Sequence, residues 1–260
     1  KNNIDWEFND NLYFLAWTTT PWTLPSNSAL AVRKNITYSL VKCFNQYTGK
    51  PILVILAKDL ASKYFTGIYN NKVDGALNNI LYLPTGTCLG EELEGIQYEQ
   101  LLDYVTSDEL KDKAFRVILD DFVSTEDGTG IVHTAPAFGA DDYKVGKKYN
   151  IGILTMVDRE GKFVDGLGEF SNRFVKNYKD AADYVDVNVD ISVKLKKENR
   201  AFKVEKYEHS YPHCWRTDKP VLYYPLDAWF IKTTAIKERM VELNKTINWK
   251  PKSTGEGRFG

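Results

Sequence analysis

The sequence predicts an α+β protein whose core is a β-barrel of about six or more strands with helices at its periphery. Three observations carry that expectation. Short apolar and β-branched runs recur between turn signals. Helical periodicity is confined to a few segments. The 260 residues, 43% hydrophobic and 27% charged, have the composition of a globular chain able to bury a sizeable core.

The strand candidates, in order, are LYFLAW (12–17), YSLVKCF (38–44), PILVILA (51–57), FRVIL (115–119), IVHTA (131–135) and IGILTMV (151–157). This density of short strands suggests a closed or strongly curled sheet. KDLASKYF (58–65) is a short helical candidate. DDYKVGKKY (141–149) places two acids in its first turn and lysines later, as the helix macrodipole favours. Between 185 and 195 Val185, Val187, Val189, Ile191, Val193 and Leu195 alternate with polar residues, which reads as a strand. The following KLKKENRAF reads as a helix end, and a helix is preferred because an isolated strand would need its own partner. Near the C-terminus Ile236, Met240, Leu243 and Ile247 recur at helical spacing, with Thr234 as N-cap and Pro251 beyond the end.

Composition limits the function classes. Lysine and arginine total 34 against 35 acids, so the chain does not grip nucleic acid by neutralising many phosphates; a visiting nucleic acid would be held over a small part of its length. No apolar run is long enough to span a membrane, and KNNIDWEFND resembles no secretion signal, so a cytoplasmic location is expected. Three dispersed cysteines (Cys43, Cys88, Cys214) never form CxxC, arguing against a disulfide framework or a structural zinc site. His209, His213 and Cys214 suggest zinc only superficially. Pro212 disfavours the helix that the i, i+4 histidines would need, so no metal and no cofactor is expected. The charged start and glycine-rich GEGRFG end read as a piece cut from a longer chain.

Two runs carry chemistry. TTTPWTLPSN (18–27) aligns three hydroxyls before a proline-stiffened loop. GTGIVHTAPAFGADDY (128–143) delivers His133 and Asp142 to one sheet edge, at a strand-end-to-helix junction of the kind that commonly forms sites. Taken singly, His133 reads as a satisfied core histidine, Asp141 and Asp142 as helix-capping acids, and the threonines as a strand face.

Together the two runs resemble the editing domain inserted into isoleucyl-tRNA synthetases. HSYPHCWRTDKP (209–220) and DAWF (227–230) resemble the segment where that insertion returns to the catalytic body. Thr20-Pro21-Trp22 favours the isoleucyl member over its valyl and leucyl relatives, where Arg-Pro follows the paired threonines. No HIGH-like or KMSKS-like run occurs, so the ATP-dependent ligation half lies outside this chain.

The resemblance implies an editing domain over 1–205, followed at 206–260 by a segment leading back to the catalytic body. It implies hydrolysis of mischarged valyl-tRNA(Ile) with exclusion of the isoleucyl ester, the partner being the tRNA 3′-terminal adenosine. Thr19, Thr20, His133 and Asp142 become the catalytic set: Asp142 binds the α-ammonium group, His133 bounds the side-chain pocket, and the threonines orient adenosine and the attacking water. Thr18, Trp22, Asn27 and Ala135 become substrate contacts, Trp22 and Asn27 completing the adenosine pocket by stacking and hydrogen bonding. The rival readings are a Thr/Ser–His133–Asp142 triad, a non-enzymatic module for the tRNA 3′ end, and the editing domain of the valyl relative.

Overall fold

In the computed structural model the described residues are 11–65, 67–68, 81–104, 108–208 and 210–259. The strands are β1 (Leu12–Phe14), β2 (Ala29–Val32), β3 (Thr37–Phe44), β4 (Pro51–Ala57), β5 (Gly67–Ile68), β6 (Leu81–Leu89), β7 (Arg116–Leu119) and β8 (Val132–Thr134). The helices are α1 (Ala61–Tyr64), α2 (Gly90–Leu93), α3 (Asp108–Lys113), α4 (Ala140–Tyr149), α5 (Val187–Lys197) and α6 (Lys237–Asn244).

Among the described residues the strands form two open sheets and not the expected barrel. One has the order β1-β4-β3-β6-β5 and the other β7-β2-β8. The chain joins them without closing either. β1 pairs parallel with β4, and three residues on Trp17 bridges Val132 of β8. The two sheets then share an apolar layer that includes Leu30, Val32, Tyr38, Ile55, Val117 and Ile131. Tyr38 OH crosses this layer to Gly130 O at 2.7 Å.

The second sheet is buried on both faces. Leu30 and Val32 point toward the first sheet, whereas Ala29 and Ala31 point into a second core with Val145, Ile151, Phe163, Ile191 and Leu195. Opposite faces for alternate residues is the ordinary pleat; burial of both faces erases the polar alternation that marks a strand in sequence. That is why ALAV (29–32) escaped the strand candidates. β5 and β6 escaped them as well.

Other corrections follow from local geometry. The 151–157 run is no strand: Val157 makes a single bridge to Phe163, and the run's buried side chains fill the core as irregular backbone. Residues 58–65 divide into a 3₁₀ turn (Lys58–Leu60) and the four-residue α1. The 185–195 alternation is the helix α5, capped by the Asp186 side chain, which accepts from Asn188 N at 2.9 Å. Val187, Ile191 and Leu195 are buried while Val185, Val189 and Val193 are exposed, because every second member of a period-two row also falls at i, i+4.

The described chain divides into two compact units, the first ending at Tyr224 and the second beginning at Pro225. In the second unit α6 starts at Lys237. Thr234 lies in a preceding 3₁₀ turn and does not cap the helix, and the stripe Ile236, Met240, Leu243, Ile247 is about half exposed.

Candidate functional site

The two sequence runs meet because Trp17 pairs in parallel with Val132, which sets the chain entering Thr18 beside the strand that carries His133. Two glycines permit the approach. Gly128 (φ +69°) and Gly130 (φ +75°) occupy the left-handed region, and a Cβ on them would come within 3.0 Å of the Trp17 ring and 2.4 Å of Ala57 Cβ. After Thr20 the chain turns into a 3₁₀ helix, Pro21–Ser26, with proline at its first position. Asn188 of α5 anchors it by accepting from Trp22 N at 2.9 Å.

His133 is buried, and both ring nitrogens are occupied. Asn27 Nδ2 lies 2.8 Å from His133 Nδ1, and His133 Nε2 lies 3.0 Å from Thr23 Oγ1. Asn27 Nδ2 also donates to Ala29 O, and Tyr98 OH donates to Asn27 Oδ1 at 2.6 Å, which orients the amide. Its NH₂ therefore faces the imidazole, Nδ1 must accept, and the proton of the neutral ring sits on Nε2. Thr23 spends its own hydrogen on Thr20 O at 2.8 Å and so receives that proton as an acceptor. Burial lowers the His133 pKa to about 4, in keeping with a neutral ring.

This polarity is opposite to that of a nucleophile–base pair, in which Nε2 must accept from the hydroxyl, and Nδ1 faces an amide where a triad needs a carboxylate. The triad reading is therefore set aside. The arrangement holds an uncharged imidazole by both of its nitrogens.

Asp142 stands in the first turn of α4. Its Oδ2 accepts from Ala135 N at 3.0 Å, the one hydrogen bond to the carboxylate among the described residues, where no lysine or arginine pairs with it. Burial pushes its carboxyl up to about 6, the Ala135 amide opposes the rise and Asp141 adds to it. Asp141 is exposed and paired with Lys144 at 2.9 Å, leaving the two neighbouring acids in different surroundings. A Cβ on Gly139 would lie 3.1 Å from Asp142 Cγ, so this glycine makes room for the carboxylate.

The threonines differ among themselves. Thr18 Oγ1 accepts from Thr20 N at 3.1 Å, and Thr20 Oγ1 lies 3.3 Å from Thr23 Oγ1, which continues the chain of hydroxyls to His133. Thr19 is partly buried, and among the described residues its hydroxyl has no partner. Trp22, Asn27 and Ala135, expected as substrate contacts, are placed as follows. Trp22 is 3% exposed and packs edge-on to Phe138 in the core, so its ring offers no stacking surface. Asn27 spends its amide on His133, Ala29 and Tyr98. Ala135 is buried and acts through its backbone N–H. Thr23 and Tyr98, in contrast, were not singled out from the sequence. Thr23 stood in plain view inside the quoted run, whereas nothing local marks Tyr98, 71 residues from its partner.

His209 lies outside the described residues. His213 Nδ1 engages Tyr211 O at 2.8 Å, and no group of three His, Cys, Asp or Glu side chains able to hold a metal gathers among the described residues.

No family model matches the chain. Curated relatives do. It is 56% identical over 281 residues to the isoleucine–tRNA ligase of Cytophaga hutchinsonii, covering 98% of this chain and 25% of the relative. It is 50% identical to that of Bacteroides fragilis (strain ATCC 25285), covering 95% of this chain and 24% of the relative, and 46% identical to that of Porphyromonas gingivalis, covering 98% and 25%. Among solved structures, the crystal structure of GlLeuRS-CP1 overlaps 76% of this chain and 85% of its own, with TM-score 0.46 and 16% identity. The editing domain of the P. falciparum cytosolic leucyl-tRNA synthetase overlaps 54% and 47%, with TM-score 0.37 and 16% identity. Both likenesses are too distant to carry an argument about chemistry.

The chain is thus a stretch of an aminoacyl-tRNA synthetase. It belongs to the isoleucine–tRNA ligase family and spans about a quarter of the length of the curated relatives it matches. Among the described residues, no helix is long and apolar enough to cross a membrane.

Proposed function

We propose that this chain is the editing module of an isoleucine–tRNA ligase, and that it hydrolyses the ester between valine and the 3′-terminal adenosine of tRNA(Ile) while excluding the isoleucyl ester. An apolar pocket gains only about 1–3 kcal/mol from one methylene, a magnitude established on isoleucyl-tRNA synthetase itself and taken over unchanged. A ligase therefore needs a second site to remove the valine its first site admits. The observation that carries the reading is the pairing of Asp142, a partly buried carboxylate with no cationic partner among the described residues, with His133, an imidazole locked neutral.

Asp142, its carboxylate oriented by the Ala135 N–H, takes the α-ammonium of the aminoacyl group through its charge. His133 presents a neutral wall where the larger aliphatic side chain collides. The Thr18 and Thr20 hydroxyls, with Thr19 unengaged, orient the ribose and a water molecule. Water adds to the ester carbonyl, the ribose oxygen leaves carrying a proton, and valine and uncharged tRNA are released. No side chain forms a covalent intermediate.

Residues 1–205 carry this chemistry, 206–260 return toward the catalytic body of the same polypeptide, and the ligase works in the cytoplasm. The full enzyme would ligate isoleucine to tRNA using ATP outside this chain. The test is deacylation by the full 260-residue chain at high concentration. Release of valine from Val-tRNA(Ile) with Ile-tRNA(Ile) left intact is the expected result, with a high KM because most of the ligase is missing. Binding without turnover would favour a mere 3′-end binding module, and equal loss of both esters would end the sieve.

A further inference from the structure

Tyr98 stands outside both sequence runs, yet it closes the hydrogen-bonded chain that holds His133. It reaches that place through Phe115, whose N–H donates to Ser28 O at 2.7 Å and whose carbonyl accepts from Tyr98 N at 2.8 Å. One residue thereby clasps the backbone next to Asn27 and the backbone of Tyr98. Phe115 does so at φ 56°, a left-handed conformation that is unfavourable for a bulky residue and is held by its surroundings. The Tyr98 ring also packs edge-on to Phe115 with centroids 6.2 Å apart. The phenol is thus aimed by backbone on both sides, and its hydroxyl ends on Asn27 Oδ1 at 2.6 Å.

The consequence follows from the amide's two possible orientations. Asn27 can face His133 with its NH₂, which makes Nδ1 an acceptor, or with its oxygen, which would demand a proton on Nδ1 and strip it from Nε2. Ala29 O selects the first orientation from the nitrogen side, and Tyr98 OH holds it from the oxygen side. Without the phenol, Oδ1 would be left buried and unpaired, and the amide would gain freedom to swing.

We propose that Tyr98 is a positioning residue for the sieve: acting through Asn27, its hydroxyl fixes the direction of the His133 ring and so sharpens the discrimination between valyl and isoleucyl esters. The inference rests on the reading of His133 as the pocket wall.

Tyr98→Phe isolates the hydroxyl, since the ring and its contact with Phe115 remain. On the full chain labelled with nitrogen-15 at histidine and asparagine, the parent should display a through-hydrogen-bond coupling between the Asn27 amide nitrogen and His133 Nδ1. Tyr98→Phe should weaken that coupling and shift the Nδ1 resonance at an unchanged circular-dichroism spectrum. It should also lower the ratio of kcat/KM for Val-tRNA over Ile-tRNA by roughly tenfold, mostly through gain of isoleucyl hydrolysis. An unaltered coupling and Nδ1 shift would overturn the proposal, and so would an altered coupling with an unaltered ratio. If Tyr98→Phe does not fold, the parent decides: a slowly exchanging Tyr98 hydroxyl proton close to the Asn27 amide supports the assignment, and a rapidly exchanging one defeats it. A parent that hydrolyses neither ester would sink the editing reading and with it the effect on discrimination, while the nitrogen resonances would still decide separately whether Tyr98 fixes the His133 ring.

Discussion

His133 and Asp142 lie nine residues apart on one strand–helix junction and are furnished in opposite ways. The imidazole has every valence satisfied: Asn27 on one nitrogen, Thr23 on the other, Tyr98 behind the amide. The carboxylate is drawn out of water and given one backbone donor. A buried charge without a counter-charge is costly, and chains tolerate it where a ligand supplies what is missing. The contrast supports the proposed division, in which one residue takes a cation and the other is held in place.

The contrast is broken most directly at Asp142. Asp142→Asn keeps an oxygen for the Ala135 amide and removes the charge. It should weaken binding of a non-hydrolysable valyl-adenosine analogue by about 10- to 100-fold in calorimetry, as loss of a charged hydrogen bond implies. An analogue lacking the amino group should bind parent and variant alike. Unchanged affinity for the amino analogue would remove the carboxylate from the site.

His133→Ala is next. It should retain valyl hydrolysis and gain isoleucyl hydrolysis, eroding the ratio by roughly 10-fold or more. It should also lower stability by about 1–3 kcal/mol, because Asn27 and Thr23 lose a buried partner. Loss of all turnover in a folded variant would instead make the imidazole a catalyst.

A third effect is read in pH. The folded value of His133, about 4, lies below its ordinary 6.5, so between those values the unfolded chain holds the extra proton and stability is lost as pH falls. The folded value of Asp142, about 6, lies above 3.8, so there the folded chain holds the extra proton and stability is lost as pH rises. From pH 4 to 6 the two slopes oppose, at about 1.4 kcal/mol per pH unit each. In urea unfolding, Asp142→Asn should therefore steepen the gain of stability with rising pH, and His133→Gln should tilt it the other way. Parallel profiles for parent and both variants would contradict the assigned environments. Ionisation of Asp142 should also strengthen binding of the amino analogue as pH passes 6.

The smallest effect is expected at Gly139, whose φ is compatible with alanine but whose Cβ would crowd Asp142 Cγ. Gly139→Ala should weaken the analogue by only roughly threefold and leave the thermal midpoint in place, since a small displacement of a binding group affects affinity before it affects the fold.

The parts of the molecule legible in sequence share a physical character. β3, β4 and β7 appear as β-branched runs, α4 announces its ends by charge, and α5 is read as a helix because an isolated strand would need its own partner. β2 was invisible because both of its faces are buried, and 151–157 was misread because apolar content alone does not distinguish strand from packed irregular chain. Within the candidate site, the residue types in TTTPWTLPSN and GTGIVHTAPAFGADDY mark two segments that the structure brings side by side. They do not say which side chains face outward: the Trp22 ring lies in the core and the Asn27 amide is turned to His133.

The amino-acid sequence by itself determined the segments that carry hydroxyls, imidazole and carboxylate, the turns that end them, and kinship with the isoleucine–tRNA ligases, because motif chemistry and periodicity are properties of neighbouring residues. Tertiary structure alone decided that the described strands form two open sheets in place of a barrel, that the His133 proton sits on Nε2, and that Tyr98 stands behind Asn27. Those facts depend on donors and acceptors from distant parts of the chain meeting at about 3 Å, a distance that spacing along a sequence does not encode.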